Sequence, residues 1–188
     1  MARSPDLQIG QRVVPGRAVP EPAGAEEWLL VGKALVAQVR REYGIPAGVD
    51  TLAVGWTNVD GLESRRFIGG SRAPRARAAL PNAAPHLQAP RVNHQFVDHA
   101  EQDVGNAFLD AVAGARAEVG AHHWLRIYVT KASGPCSACA QGLDNRLVAP
   151  GVLGQLTQRF PDLTVTVAWP QPGGKLGNMI LQNGERLW

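Results

Sequence analysis

The spacing of apolar residues in the N-terminal third of the chain predicts a tail, a helix and a hairpin. Residues 1–25 are rich in Pro, Gly and Ala and have no hydrophobic period, which indicates a tail or linker. Apolar residues then recur at three- and four-residue steps over 26–45, as in an amphipathic helix. Residues 52–56 and 63–68 flank an Asp60-Gly61 turn, so we expect a β-hairpin there.

The remainder of the chain predicts helices alternating with strands. In order, we expect a helix from His99 to about Val119, a strand over 124–130, a helix over 136–148, a helix over 152–160, a strand over 163–169 and a last strand or hairpin over 179–188. The link over 170–177 is too short for a helix, so the last two strands should be antiparallel. The pattern predicts one α/β domain over 26–188, with its core over 50–188 and a mixed five-stranded sheet flanked by helices.

Composition supports a single globular domain. The chain has 188 residues, of which 45% are hydrophobic. No apolar run approaches the roughly 18 residues of a membrane span, and the first residues lack the apolar stretch of a cleaved signal peptide, so we expect neither feature. Both cysteines fall in one short motif, which leaves none for a disulfide framework.

The distribution of charge is more informative than the net value of +3. The segment from Arg65 to Val97 contains six arginines and no acidic residue, whereas five acids lie between Asp98 and Glu118. A basic segment that runs directly into the central helix favours an electrostatic approach for a polyanion. The alternative is a solvated loop in an arginine-rich composition.

Two short motifs carry the candidate chemistry. His99-Ala100-Glu101 is followed downstream by Pro135-Cys136-Ser137-Ala138-Cys139. Three ligands, His99, Cys136 and Cys139, can hold zinc and leave the fourth tetrahedral position open for water, which is the arrangement of a catalytic zinc. Glu101 is then free to move protons beside the metal, and this HxE and PCxxC combination is the general signature of zinc-dependent base deaminases.

The spacing of both motifs favours helix starts. Side chains two residues apart diverge within a helix but can converge past its first turn, and Pro135 suits a helix entrance. We therefore expect two helix N-termini that face one zinc ion. Two other interpretations remain open: a redox dithiol, and a structural zinc site. The candidates for the fourth ligand of a structural site are His86, His94, His122 and His123.

With these motifs in this order, the chain resembles the cytidine deaminase-like superfamily over about residues 50–170. The segment from Thr57 to Ser64 and the HAE motif most resemble bacterial polymorphic-toxin deaminases, one branch of which acts on cytosine in DNA. The resemblance implies a three-layer fold, a zinc cofactor and an enzyme that hydrolyses cytosine to uracil in DNA, single-stranded first and double-stranded second. It also implies a secreted effector domain that acts in the cytoplasm of a target cell and has an immunity protein as partner.

The same resemblance suggests residues that contact the substrate. Asn58 would line the pocket, although it could equally be a turn residue. Independently of the resemblance, the aromatic or imidazole side chains of His94, Phe96, Trp124 and Trp169 could stack on a base or simply pack in the core or a loop. Ser133 lies just before the cysteine motif, and Arg72, Arg75 and Arg77 of the acid-free segment could follow the phosphates. The alternatives are a deaminase of RNA, free nucleotides or adenine, and a non-catalytic, zinc-stabilised binding module.

Overall fold

A computed structural model describes residues 24–48, 51–71, 80–90 and 99–188. Its strands are β1 (Leu52–Thr57), β2 (Phe67–Gly70), β3 (Trp124–Val129), β4 (Thr164–Pro170), β5 (Leu176–Gln182) and β6 (Glu185–Arg186). Its helices are α1 (Ala25–Tyr43), α2 (Ala100–Ala115) and α3 (Val152–Arg159), with a 3-10 turn at Pro172–Gly174. No described helix has the combination of length and apolar character that a membrane span requires.

The six strands form one open, mixed sheet in the order β2-β1-β3-β4-β5-β6. β1 is antiparallel to β2 and β3, whereas β3 and β4 are parallel. The connection between the parallel pair contains α3, as a crossover of that kind requires. The expected antiparallel arrangement of β4 and β5 is confirmed. The carboxyl ends of β3 and β4 therefore lie side by side at one end of the sheet.

The sheet has six strands where we expected five. The additional strand, β6, has two residues and follows a turn in which Asn183 and Gly184 have φ angles of 48° and 80°. Asn-Gly is the preferred pair for such a hairpin turn because both residues tolerate positive φ. A strand of two residues is too short to produce a hydrophobic alternation, so the pattern gave only a strand or hairpin for this region.

Helices cover both faces of the sheet. One core contains the inward residues of α2 and α3 together with Leu125, Ile127 and Val129 of β3. The other core lies beneath α1 and includes the intervening Tyr128. Successive strand residues point to opposite faces, so the near-continuous apolar run of β3 follows from burial on both sides.

The predicted N-terminal helix is confirmed as α1. It ends at Gly44, which adopts a left-handed conformation with φ of 63° and donates its N–H to the Arg40 carbonyl. Glu26 and Glu27 lie in its first turn and Arg40 and Arg41 in its last, which is the favourable orientation for the helix dipole.

The predicted hairpin is confirmed as the antiparallel pair of β1 and β2, but its second strand begins at Phe67 and not at Glu63. Residues 59–66 form successive turns, because Val59 and Leu62 are both fully buried and the chain must turn to bury them. Another predicted element was wrong. Residues 136–148 also form turns instead of a helix. Gly142 has φ of 80°, and the carbonyl oxygens of Val148 and Ala149 occupy the space that a side chain there would need.

Candidate metal centre

Two separate segments bring the motif residues together. His99 is the N-cap of α2, with extended backbone angles, and Glu101 lies in the first turn of that helix. The cysteines follow β3: the chain leaves the sheet, turns at Gly134, where the N–H bonds the Lys131 carbonyl at 2.9 Å, and reaches Cys136. The site thus lies at the carboxyl end of β3, where ligands commonly bind in open α/β sheets.

His99, Cys136 and Cys139 are close enough to hold a metal ion. Their ligand atoms all lie within 4.8 Å of one another, and His99 Nδ1 is 3.0 Å from Cys136 Sγ. Tetrahedral zinc with bonds of about 2.0–2.3 Å separates its ligand atoms by roughly 3.3–3.8 Å. One imidazole and two thiols are a zinc donor set, so the residues fit this metal. Among the described residues, no other His, Cys, Asp or Glu joins the group.

Glu101 is in direct contact with the cysteine segment. Its Oε1 accepts a hydrogen bond from the backbone N–H of Cys136 at 3.2 Å. Its Oε2 accepts a hydrogen bond from the Cys139 thiol, with 3.7 Å between Oε2 and Sγ. The residue is only 3% exposed. Burial raises the pKa of the Glu101 carboxyl, because desolvation disfavours the charged form more than the backbone hydrogen bonds favour it. Burial therefore favours the protonated form of this carboxyl.

The two thiols differ in acidity. The hydrogen bond from the Cys139 side chain, assisted by His99, lowers the pKa of Cys136 to about 4 despite partial burial. The same hydrogen bond raises the pKa of Cys139, and its burial and the nearby Glu101 raise it further. A thiolate at Cys136 is the form that binds metal.

The cysteine segment is seated on α3. The Cys139 N–H bonds Cys136 Sγ at 3.3 Å, and a single helical turn closes from the Ala140 N–H to the Cys136 carbonyl at 3.0 Å. The Leu153 N–H in the first turn of α3 donates to the Cys139 carbonyl at 3.1 Å. The expectation of two helix N-termini facing the metal is therefore half right: α2 supplies one, and the cysteines lie on an isolated turn.

Asp103 is a buried residue of this region for which the sequence analysis predicted no role. Its Oδ2 accepts the N–H of Gly70 at 3.1 Å, which fixes the first turn of α2 to β2. Asp103 is 8% exposed and lies one turn after His99. An acid on the buried face of a predicted helix was the available signal, since a buried carboxylate needs a partner.

A second unpredicted feature is the path of residues 84–89 along α2. Three side chains of α2, four residues apart, accept backbone N–H groups from this segment. The bonds run from Ala84 to Asp110 (2.8 Å), from His86 and Leu87 to Asn106 (3.1 and 2.8 Å), and from Ala89 to Gln102 (3.3 Å). The segment therefore follows α2 towards its N-terminal end, where the metal centre lies.

Asn58 lies at the opposite end of the sheet. It follows β1, whereas the metal centre lies near the start of that strand, where Leu52 pairs with Gly70. Six residues of strand separate Leu52 and Asn58 by about 20 Å. The Asn58 amide bonds the backbone: Nδ2 donates to the His122 carbonyl at 3.0 Å, and Oδ1 accepts the Trp124 N–H at 2.7 Å.

The candidate fourth ligands do not join the centre among the described residues. His86 Nε2 is 2.6 Å from Asp110 Oδ1, and His122 and His123 lie beside Asn58 at the far end of the sheet. Ser133 is exposed in the turn just before the cysteines. The remaining candidates, His94, Phe96, Arg72, Arg75 and Arg77, lie outside the described residues.

No protein-family model matches the chain, and comparisons with curated proteins and with solved structures gave no match.

Proposed function

We propose that this chain is a zinc-dependent deaminase that hydrolyses cytosine to uracil in DNA. The observation that carries the proposal is the convergence of one imidazole, two thiols and one buried carboxyl. The three ligand atoms lie within 4.8 Å of one another, and the carboxyl of Glu101 contacts both cysteines. A structural zinc site or a redox dithiol has no need of a proton carrier held at this place, whereas hydrolysis of an amine requires one.

Each residue has a separate task in this reaction. His99, Cys136 and Cys139 would hold the metal, which, when bound, supplies Lewis-acid activation of water at neutral pH. Glu101 would transfer protons: it would take one from the attacking water and give it to N3 of cytosine, and then take the one on the new C4 hydroxyl and give it to the departing amine. The balance is cytosine plus water to uracil plus ammonia. The Cys136 N–H orients the Glu101 carboxyl, and burial favours its protonated form.

Polymeric substrate is supported by the charge pattern. The acid-free arginine segment begins on the turns before β2 and continues past Ser71, which leaves the sheet beside Thr51 at the metal-bearing end. Arginines of this segment would bind phosphates and retain a nucleic acid better than a free nucleoside. Single-stranded DNA is the first choice because its bases are accessible without unpairing.

The direct test is a substrate panel. Zinc-loaded protein is incubated with single- and double-stranded DNA, RNA of the same sequence, and free cytidine and adenosine. Products are measured by sequencing for C-to-T changes and by release of ammonia. Conversion in DNA that is absent with Cys136→Ser supports the proposal. Conversion confined to RNA or nucleosides changes the substrate, and no conversion by zinc-loaded protein leaves a binding module.

We further propose that the activity serves as a bacterial toxin countered by an immunity protein. This follows from the resemblance of the turn segment and HAE motif to toxin deaminases. Expression in bacteria should raise the frequency of C-to-T mutation and slow growth, and Glu101→Ala should do neither. Equal growth and mutation frequencies for the two forms would contradict this role.

A further inference from the structure

We propose that Gly69 and Gly151 are positioning residues that seat the two halves of the metal centre. The inference rests on the metal site of the proposed function and assigns a role to two residues that touch neither metal nor substrate. Gly69 lies on β2 under the first turn of α2, and Gly151 caps α3 under the cysteine segment. Neither glycine has a positive φ, so close approach and not backbone conformation requires its missing side chain.

Gly69 lets α2 rest directly on β2. A Cβ at this position would overlap the Ala100 carbonyl oxygen and would lie 2.8 Å from the Ala100 carbonyl carbon and 2.9 Å from Asp103 Cβ. Two of these atoms belong to helix backbone, so a rotamer change cannot relieve the overlap. Ala100 is the residue between His99 and Glu101, and any retreat of its backbone moves both side chains.

Gly151 has the same relation to the cysteines. A Cβ there would overlap the Ala138 carbonyl oxygen and would lie 2.6 Å from the carbonyl oxygen and 2.9 Å from the carbonyl carbon of Cys139. The Gly151 N–H bonds the Gln141 carbonyl at 2.7 Å, so the cysteine segment is fastened to this position as well as packed on it.

The close contacts at Gly69 and Gly151 matter because the two segments that carry the metal ligands are far apart in sequence. His99 and Cys136 are separated by 37 positions, and they meet only because β2 and α3 fix where each segment lies. Metal sites tolerate errors of about 0.2 Å in ligand distance. A methyl group that separates either pair of backbones would exceed this tolerance while leaving all three ligands in the chain.

The test measures metal affinity in the full chain, with Co²⁺ as the probe because its absorption reports thiolate ligands and coordination geometry. Gly69→Ala and Gly151→Ala should each weaken Co²⁺ binding by about 10-fold or more, the usual range for residues that support metal ligands, and should change the visible spectrum. The matched control is Gly32→Ala on α1, whose Cβ would overlap the Tyr128 ring on the opposite face of the sheet. It should lower the unfolding temperature and keep wild-type affinity.

A second variant decides the question if the glycine variants do not fold. Asp103→Ala adds no atom but removes the bond that fastens α2 to β2, and it should also weaken Co²⁺ binding and alter the spectrum. Folded variants with wild-type affinity and spectrum would overturn the inference, as would an equal loss of affinity in Gly32→Ala. Wild-type protein that binds Co²⁺ and, loaded with zinc, deaminates nothing would refute the proposed function alone. Wild-type protein that binds no Co²⁺ would refute both.

Discussion

The two ends of the sheet carry similar polar residues and use them differently. At one end, His99, Glu101, Cys136 and Cys139 contact one another across two segments. At the other end, Asn58 bonds the carbonyl of His122 and the N–H of Trp124, so both ends of its amide are satisfied by main chain. A side chain that completes a backbone network stabilises the fold, whereas side chains that converge on one another are available for chemistry.

The comparison shows why residue type alone does not identify a site. Both ends of the sheet carry histidines. Among the described residues, however, His122 and His123 at the far end belong to no group of side chains that could hold a metal. At the metal end, a buried acid whose pKa is raised lies beside a thiol whose pKa is lowered. Opposite shifts in adjacent groups are typical of functional sites.

The largest effect should follow from removing a metal ligand. Cys136→Ser should lower the zinc content of purified protein from about one per chain to near zero, because serine is a poor ligand for zinc and the remaining pair is incomplete. The zinc content is measured by elemental analysis, and deamination should disappear with it. Ser137→Ala, at an exposed neighbouring position, should change neither. A protein that is fully active without metal would contradict the assignment of the metal site to one end of the sheet.

Glu101→Ala should have the next largest effect and should separate chemistry from metal binding. We expect deamination to fall by about 10²–10⁴-fold, the range for loss of a general acid/base, while zinc content and fold stay as in wild type. The rate on cytosine-containing DNA and the zinc content are measured on the same sample. Glu118→Ala, which removes an exposed acid beyond α2, is the control. Loss of zinc or of folded structure in Glu101→Ala would make Glu101 a structural residue.

The arginine segment should give a smaller effect that depends on salt. Replacing Arg72, Arg75 and Arg77 by Ala should raise KM for DNA and flatten the decrease of activity with salt, because fewer phosphate counterions are released on binding. Zinc content should not change. A control that removes three exposed cations elsewhere, Lys33, Arg41 and Arg159, should keep the wild-type slope. Equal slopes in all three proteins would mean that the segment is a solvated loop.

The sequence predicted those elements of the fold that depend on a local hydrophobic pattern and missed those that depend on packing between distant residues. Hydrophobic periods located α1, β3, α3 and β4, and the length of the link before β5 determined its direction. The helix predicted after Cys136 was wrong because the apolar residues there suit a helix, whereas Gly142 and the carbonyl groups packed against it prevent one. That packing involves residues that the local pattern does not bring together.

The candidate site divides in the same way. The spacing of His99, Glu101, Cys136 and Cys139 is a local signal, and the structure brings these four residues together. The residues that hold the segments in place act through contacts with distant backbone. Nothing in the sequence around Gly151 indicates its contact, whereas the place of Asp103 on the buried face of a predicted helix indicates that it needs a partner but does not identify that partner. Asn58 was predicted to line the pocket because of a resemblance in a turn, and a turn does not reveal which end of the sheet it occupies.

Asn58→Ala should have the smallest effect on activity and is the sharpest test of the comparison. Removing the amide leaves the Trp124 N–H and the His122 carbonyl without this partner, which should lower the free energy of unfolding by about 1–3 kcal/mol. For a domain of this size the unfolding temperature should fall by roughly 2–10 °C. The zinc content, kcat and KM should stay at their wild-type values, because about 20 Å of strand separates Asn58 from the start of β1. Asn82→Ala, at an exposed position, should leave stability unchanged. A stable Asn58→Ala protein with a raised KM would instead place Asn58 in contact with substrate, and the far end of the sheet would then belong to the functional surface.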